Sequence, residues 1–253
     1  MTLSGFFLAV AGSVTGRDHR RAERDGQDGH AVVITDDVVA GIVTDGCSSG
    51  RASEIGARVG AAWLAALIEP AFRGVDEPAG ARAAAATVTR ALLDRLELLA
   101  RSFDPAGHVS AARVDQSLLF GFLAAVVTPV TTIVFGIGDG IVVVDGTITV
   151  IDPGPENAPP YLAYALLGGG GARAGLEPRI HFAGTTAGVE AVAVATDGAA
   201  PLVEAGSASL AAIVADARYA KNPSLLRKRL VVLSDAGTFA DDATIALVRR
   251  RPA

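Results

Sequence analysis

The sequence predicts an α+β fold built on antiparallel β-sheets, and three observations carry that reading. Strand-like runs follow one another and helix-like stretches come in consecutive pairs, an order unlike the strict alternation of a parallel βαβ protein. Asp145-Gly146 separates two short β-branched runs, Ile141–Val144 and Thr147–Ile151, the signature of a two-residue hairpin. Three hydrophobic runs also stop on Asp-Gly, at Asp45-Gly46, Asp139-Gly140 and Asp197-Gly198, as strands do when they reach the rim of a sheet.

Taken in order, Leu3 to Val14 reads as a strand, and a polar, basic segment from Arg17 to Arg24 follows. Ala31–Thr35 and Val38–Thr44 form a hairpin about Asp36-Asp37. From Ser53 to Ile68 the period turns helical, with Ile55, Val59, Trp63 and Leu67 on one face and Pro70 as the stop. A second helix spans about Arg82 to Phe103, with Val88, Leu92, Leu96, Leu99 and Phe103 as its apolar stripe and Glu97–Arg101 as a surface pair. Strand patterns return at Ser117–Val127, Thr131–Ile137, Ile141–Val144 and Thr147–Ile151.

Pro153 to Arg179 carries five prolines and the Gly168–Gly171 run around a short helix-like piece, Tyr161–Leu167, and reads as a surface excursion. Glu190–Ala195 is a further strand. Ser207–Tyr219 and Pro223–Leu233 are helical, the latter with Asn222 as N-cap and Pro223 at the first helical position, and Thr244–Val248 is the closing strand. No repeat and no linker divides the 253 residues, so a single domain is expected.

Composition narrows the function. Half of the chain is apolar and 19% is charged, as in a globular protein with a large core. The net charge of −5, with both signs scattered, argues against a cationic face for nucleic acid or an anionic membrane. Cys47 is the single cysteine, so no internal disulfide forms, and the apolar N-terminus lacks a basic leader; both fit a cytoplasmic protein. The longest apolar stretch, Leu118–Val127, is too short to span a bilayer.

The acidic positions point to chemistry. Carboxylates gathered at the ends of buried strands suit hard divalent cations, which take oxygen ligands from Asp, water and phosphate. Asp45, Asp139 and Asp197 have that placement, and Asp241-Asp242 stands directly before the run Ala-Thr-Ile-Ala-Leu-Val. The pattern indicates a metal-dependent hydrolase. A nucleophilic Cys47 is disfavoured, because Ser48-Ser49-Gly50-Arg51 is not an Arg-rich phosphate loop. The Gly168–Gly171 run lacks the Lys-Ser/Thr of a phosphate-binding loop, and His30, His108 and His181 show no ligand spacing.

The ordered set Gln27-Asp28, Asp45-Gly46, Gly138-Asp139-Gly140, Ala195-Thr196-Asp197-Gly198 and Asp241-Asp242-Ala243-Thr244 resembles the metal-dependent Ser/Thr protein phosphatases, the protein phosphatase 2C family, in its bacterial branch. The resemblance runs from about Ser13 to Arg250. It implies a four-layer αββα sandwich of two antiparallel sheets flanked by helices, with a flap near residues 153–179. It also implies two Mn²⁺ or Mg²⁺ ions and a phosphorylated protein as substrate, for a monomeric enzyme hydrolysing phosphoserine or phosphothreonine with a metal-activated water. By that resemblance Asp45 bridges the metals, with the Gly46 carbonyl, Asp197 and Asp241 beside it. Asp139 serves a third, weaker ion, and Asp28 orients water or phosphate.

Two departures are visible. Cys47 stands where the family's animal and plant members commonly carry a His after the first Asp-Gly, so His19 becomes the candidate general acid. Ala199-Ala200-Pro201 leaves a third ion one ligand short. The resemblance also implies an Arg from this region gripping the substrate phosphate by bidentate pairing, and among Arg17, Arg20, Arg21 and Arg24 the candidate is Arg20 or Arg21. The missing His leaves open a regulatory module that has lost catalysis, and a small phosphoester is an alternative substrate.

Overall fold

The structure, a computed structural model, describes residues 2–154, 159–168, 177–204 and 209–252. One sheet comprises β1 (Phe7–Val14), β6 (Gly140–Val144), β7 (Thr147–Ile151), β9 (Ala191–Ala195) and β10 (Ala243–Arg250), ordered β1-β10-β9-β6-β7. The other comprises β2 (Gly29–Ile34), β3 (Val39–Gly46), β4 (Phe120–Val127), β5 (Thr131–Ile137) and β8 (Arg179–Thr185), ordered β2-β3-β4-β5-β8. All pairings within both sheets are antiparallel.

The sheets pack face to face. Val39, Val43, Leu123 and Ala125 from one meet Val192, Val194, Ala246 and Val248 from the other in a buried layer. The alternate residues, Ala40, Ile42, Phe122 and Ala124, face outward under α3 (Ser53–Phe72) and α4 (Pro78–Ser102). On the opposite side Ala193, Ala195, Ile245 and Leu247 lie under α6 (Leu210–Ala215) and α7 (Leu225–Asp235). Both faces of the central strands are therefore buried, which is why they read as continuous apolar runs. The result is the expected helix–sheet–sheet–helix sandwich.

Several boundaries differ from the sequence reading. Leu3–Phe6 forms a short helix, α1, before β1 begins. Arg17–Arg21 coils into α2, and Ala111–Ser117 into α5, so β4 starts at Phe120 rather than Ser117. β8 was not anticipated, because it is a half-exposed edge strand without a continuous apolar run. The N-cap of α7 is Ser224, and Asn222 instead accepts the Ser224 N–H. Residues 169–176, within the Gly-rich excursion, and 205–208, at the start of the expected Ser207–Tyr219 helix, lie outside the described residues. The short Tyr161–Leu167 piece is a 3-10 helix, Leu162–Leu166.

The largest correction concerns α3. Its buried face is Gly56, Ala57, Gly60, Ala61, Leu64 and Ile68, whereas Ile55 is 42% exposed and Val59, Trp63 and Leu67 are only partly covered. Small residues let the helix backbone lie close on β3 and β4; a Cβ at Gly60 would fall 2.4 Å from the Phe120 ring. Distance of approach, not side-chain size, chose the face. The helix also runs through Pro70 to Phe72, whose ring is buried and stacked on Phe135 at 5.9 Å. By length and composition α3 could cross a membrane, yet here it is a core helix between a sheet and α4.

Candidate metal-binding active site

Strand register brings the acidic residues to one rim. Asp45 lies opposite Gly121 at the end of β3, and the next pair on β4 and β5, Phe122 and Ile137, brings Gly138-Asp139 alongside. In the other sheet Ala195 pairs with Ile245, so Asp197 leaves β9 where Asp241-Asp242 enter β10. The Thr196 N–H donates to the Thr244 carbonyl at 3.0 Å and locks those two ends together. Gly198 is obligatory there: a Cβ would sit 1.9 Å from the Asp242 carbonyl oxygen, backbone against backbone.

These residues line a cavity of about 280 Å³ whose walls are Asp45, Gly46, Cys47, Ser48, Ser49, Asp139, Asp197 and Asp241, with Pro159, Tyr161 and Tyr164. All five sequence-selected metal positions are thus collected in one place. Among the described residues no Lys or Arg lines it. Asp45, Asp139 and Asp241 resist ionisation, chiefly through burial. Burial pushes Asp45 well above the usual carboxylate range, and Asp28, Asp197 and Asp139 add like charge. Asp139 rises through burial and then the charge of Asp197. Asp241 also rises, burial outweighing the N–H of Asp242. Four carboxylates in one cavity, with His19 Nδ1 3.8 Å from Asp241 on one side, are stabilised by protons or by added positive charge. That donor set, all oxygen, fits hard divalent cations.

Behind this wall Asp28 is buried and accepts the Thr196 hydroxyl at 2.9 Å. Its pKa is raised to about 8, first by burial and then by Asp242 and Asp241, against the hydroxyls of Thr244 and Thr196. Asp28 does not line the acidic cavity but a neighbouring one of about 340 Å³, with Arg58 and Arg227. Gln27 ties the same segment to the loop after β3: its Nε2 donates to the Gly50 carbonyl at 2.9 Å and to Ser53 Oγ at 2.6 Å.

Asp242 is the residue that sequence reasoning missed. It is 3% exposed and accepts the Gly16 N–H at 2.7 Å, the Gln27 N–H at 2.5 Å and His19 Nδ1 at 2.9 Å. One carboxylate therefore pins the α2 segment, the Gln27-Asp28 segment and the start of β10 together. Its adjacency to Asp241 was the available signal, but nothing in the sequence distinguishes a ligand from a buried acceptor. His19, Asp241 and Asp242 offer ligand atoms within 4.8 Å of one another. Because hydrogen bonds already occupy Asp242, the trio is a weaker cation cradle than the open cavity.

The basic candidates do not line the cavity. His19 is bonded to Asp242 at 2.9 Å, with its Nδ1 3.8 Å from Asp241 at the cavity's edge. Arg20 donates to Ser234 Oγ on α7 at 2.9 Å, and Arg21 is exposed; neither lines the cavity. Arg24 reaches the Gly50 carbonyl at 2.7 Å. Arg20 and Arg21, the expected phosphate grips, are thus placed off the cavity wall, since α2 turns the first toward α7 and the second toward solvent.

Comparison with known proteins agrees with the geometry. The protein phosphatase 2C model matches residues 15–233. Serine/threonine phosphatase Stp1 from Staphylococcus aureus superposes with a TM-score of 0.61 at 12% identity, over 98% of this chain and 97% of that one. PppA, a regulatory component of T6SS in Pseudomonas aeruginosa, gives 0.65 at 12% identity, over 97% and 98%. The catalytic domain of serine threonine protein phosphatase PstP, in complex with two manganese ions, gives 0.56 at 15% identity, over 98% and 99%. No curated protein sequence matches the chain.

Proposed function

The chain belongs to the protein phosphatase 2C family, and from that premise we propose that it is a divalent-metal-dependent phosphatase of phosphoserine and phosphothreonine in proteins. The observation that carries the reading is the convergence of Asp45, Asp139, Asp197 and Asp241 on one cavity with no Lys or Arg among its described lining residues. Asp45, Asp197, Asp241 and the Gly46 carbonyl would hold two ions, as many as the manganese ions in the PstP domain, and Asp139 a weaker third. Bound Mn²⁺ or Mg²⁺ would supply Lewis-acid polarisation of the phosphoryl group and a water nucleophile at neutral pH.

The protein's own groups do the rest. Asp45 and Asp197 would present carboxylate oxygens, which only accept, to a cation and so fix its position. Asp28, braced by Thr196 behind the cavity wall and near enough to Asp45 to act on its charge, would orient water or phosphate from there. With no Arg or Lys on the described cavity walls, neutralising the phosphate falls to the cations. Cys47 is a wall residue. Burial raises its thiol pKa, but hydrogen bonds from Ser49, Tyr161 and backbone N–H groups outweigh that and lower it. No phosphate loop surrounds the thiol, so a phosphocysteine is not part of the reading.

The test is phosphate release from a phosphothreonine peptide with Mn²⁺, with and without EDTA. Turnover that EDTA abolishes is the expected result. Absence of any metal-dependent turnover would overturn the proposal and favour a regulatory module that has lost catalysis.

A further inference from the structure

We propose that the open side of the sandwich docks an extended, acidic segment of a partner protein, which adds to β1 as a further strand. Docking is read without turnover, so the proposal stands apart from the phosphatase reading.

The two sheets do not end together. β1 is the last strand of its sheet and β2 the last of the other. On β2, His30, Val32 and Ile34 pair with Val43, Gly41 and Val39 of β3. Val39 and Val43 belong to the buried layer between the sheets, and a Cβ at Gly41 would meet Ala246 of the facing sheet at 3.1 Å. On β2 that same face is uncovered: Val32 is 40% exposed and Ile34 46%. Alternate residues of a strand share a face, so the inter-sheet face of β2 continues past the point where the covering sheet stops at β1. One more strand beside β1 would lie over it.

The far edge of β1 is open to such a strand. Phe7–Val14 all pair with β10, and from Leu8 to Val14 no backbone hydrogen bond among the described residues goes elsewhere. Every second N–H and C=O along the edge is therefore free to pair, which is the template that strand addition uses. The edge borders a groove of about 840 Å³. Ala9 and Ala11 line it from β1, Val32 from β2, and Val231 and Val232 from α7, the last 68% exposed.

Charge selects the occupant. The charged residues lining the groove are Arg227 and Lys228. Arg229, one residue on from Lys228, reaches Asp216 at 3.6 Å. Neither Arg227 nor Lys228 has a salt bridge or a side-chain hydrogen bond among the described residues. A strand added to β1 turns one face to Val32 and the other to α7, because successive side chains point to opposite sides. Apolar residues alternating with Asp or Glu satisfy both faces at once. A second copy of this chain fits worse. A two-fold contact sets a patch against itself, and here it would bring Arg227 and Lys228 toward their own copies.

The probe is a fluorescein-labelled nonapeptide alternating Glu and Val, which at about 3.4 Å per residue runs the length of β1. Its fluorescence anisotropy should rise saturably on titration with the wild-type protein. Arg227→Glu/Lys228→Glu, on the exposed face of α7, should weaken binding by about tenfold or more and leave thermal unfolding unchanged. Val232→Asp should weaken it too. Two versions of the peptide, N-methylated at one or the other alternate set of residues, distinguish strand addition from loose contact. The version that loses the N–H groups facing β1 should not bind, and the other should bind as the parent does. Absence of saturable binding, equal binding of both methylated versions, or equal binding of a Lys–Val nonapeptide would each overturn the proposal. So would undiminished binding by the charge-reversed variant, which would place the peptide elsewhere, at the acidic rim's cations for example. A wild-type dimer in sedimentation that Val232→Asp dissolves would assign the groove to a second copy and overturn it as well.

Discussion

Replacing Asp242 with Ala removes the acceptor for two buried backbone N–H groups, Gly16 and Gln27, and for His19 Nδ1. Hydrogen bonds to a charged group contribute roughly 1.5–3 kcal/mol each, and the orphaned donors cannot reach water because Asp242 is 3% exposed. Some of that loss is offset, since Asp242 is one of the charges that raise Asp28 and Asp241. The net expectation is a destabilisation of about 3 kcal/mol, a large share of the 5–15 kcal/mol that folds a typical domain. Urea denaturation followed by circular dichroism, in EDTA, measures it, with an unchanged m-value marking a change in stability alone. Asp242→Asn keeps one accepting oxygen and should lose roughly half as much. A loss below about 1 kcal/mol in Asp242→Ala would refute the view that this carboxylate pins three segments together.

Three further outcomes follow from the same structure. Asp28 is raised from 3.8 to about 8 in the folded protein, and Asp45 moves the same way. The folded chain therefore holds protons that the unfolded chain has lost, so this stabilisation is complete below about pH 4 and disappears as pH rises toward about 8. Urea midpoints in EDTA should fall between pH 5 and pH 8, and Mn²⁺ should reverse the fall; a metal-free midpoint that rises over that range contradicts it. Asp197→Ala should abolish metal-dependent phosphate release yet leave the metal-free fold as stable as wild type or more so, because it removes like charge beside Asp45 and Asp139. Loss of folding in that variant would contradict the electrostatic account. Gly60→Ala drives a methyl into the Phe120 ring and should cost about 1–3 kcal/mol, read by thermal unfolding. An unchanged midpoint would show that α3 has room to retreat.

Much of this architecture was legible because it rests on local patterns. The Asp145-Gly146 hairpin appears as read, with φ of 48° and 84°, and β5 and β7 match their expected spans. That the acidic positions meet at one cavity was legible because strand ends followed by Asp-Gly leave little choice of rim. What failed depended on distance between elements. Leu-and-Trp spacing suggested one face of α3, but the glycine and alanine face allows the closer approach and is the one buried. Asp242 escaped notice for a related reason. A side chain's partner 215 residues away, such as the Gln27 N–H, leaves no trace in local sequence. Arg20 and Arg21 were grouped by charge, yet the turn of α2 sends them to different surroundings.

The central claim is that the rim carboxylates share cations, and Mn²⁺ titration by calorimetry on wild type and on Asp45→Asn/Asp197→Asn tests it most directly. Saturable uptake of about two ions by wild type, with none by the double variant, is the result expected of a binuclear oxygen site. No uptake by wild type, or equal uptake by both proteins, would contradict it.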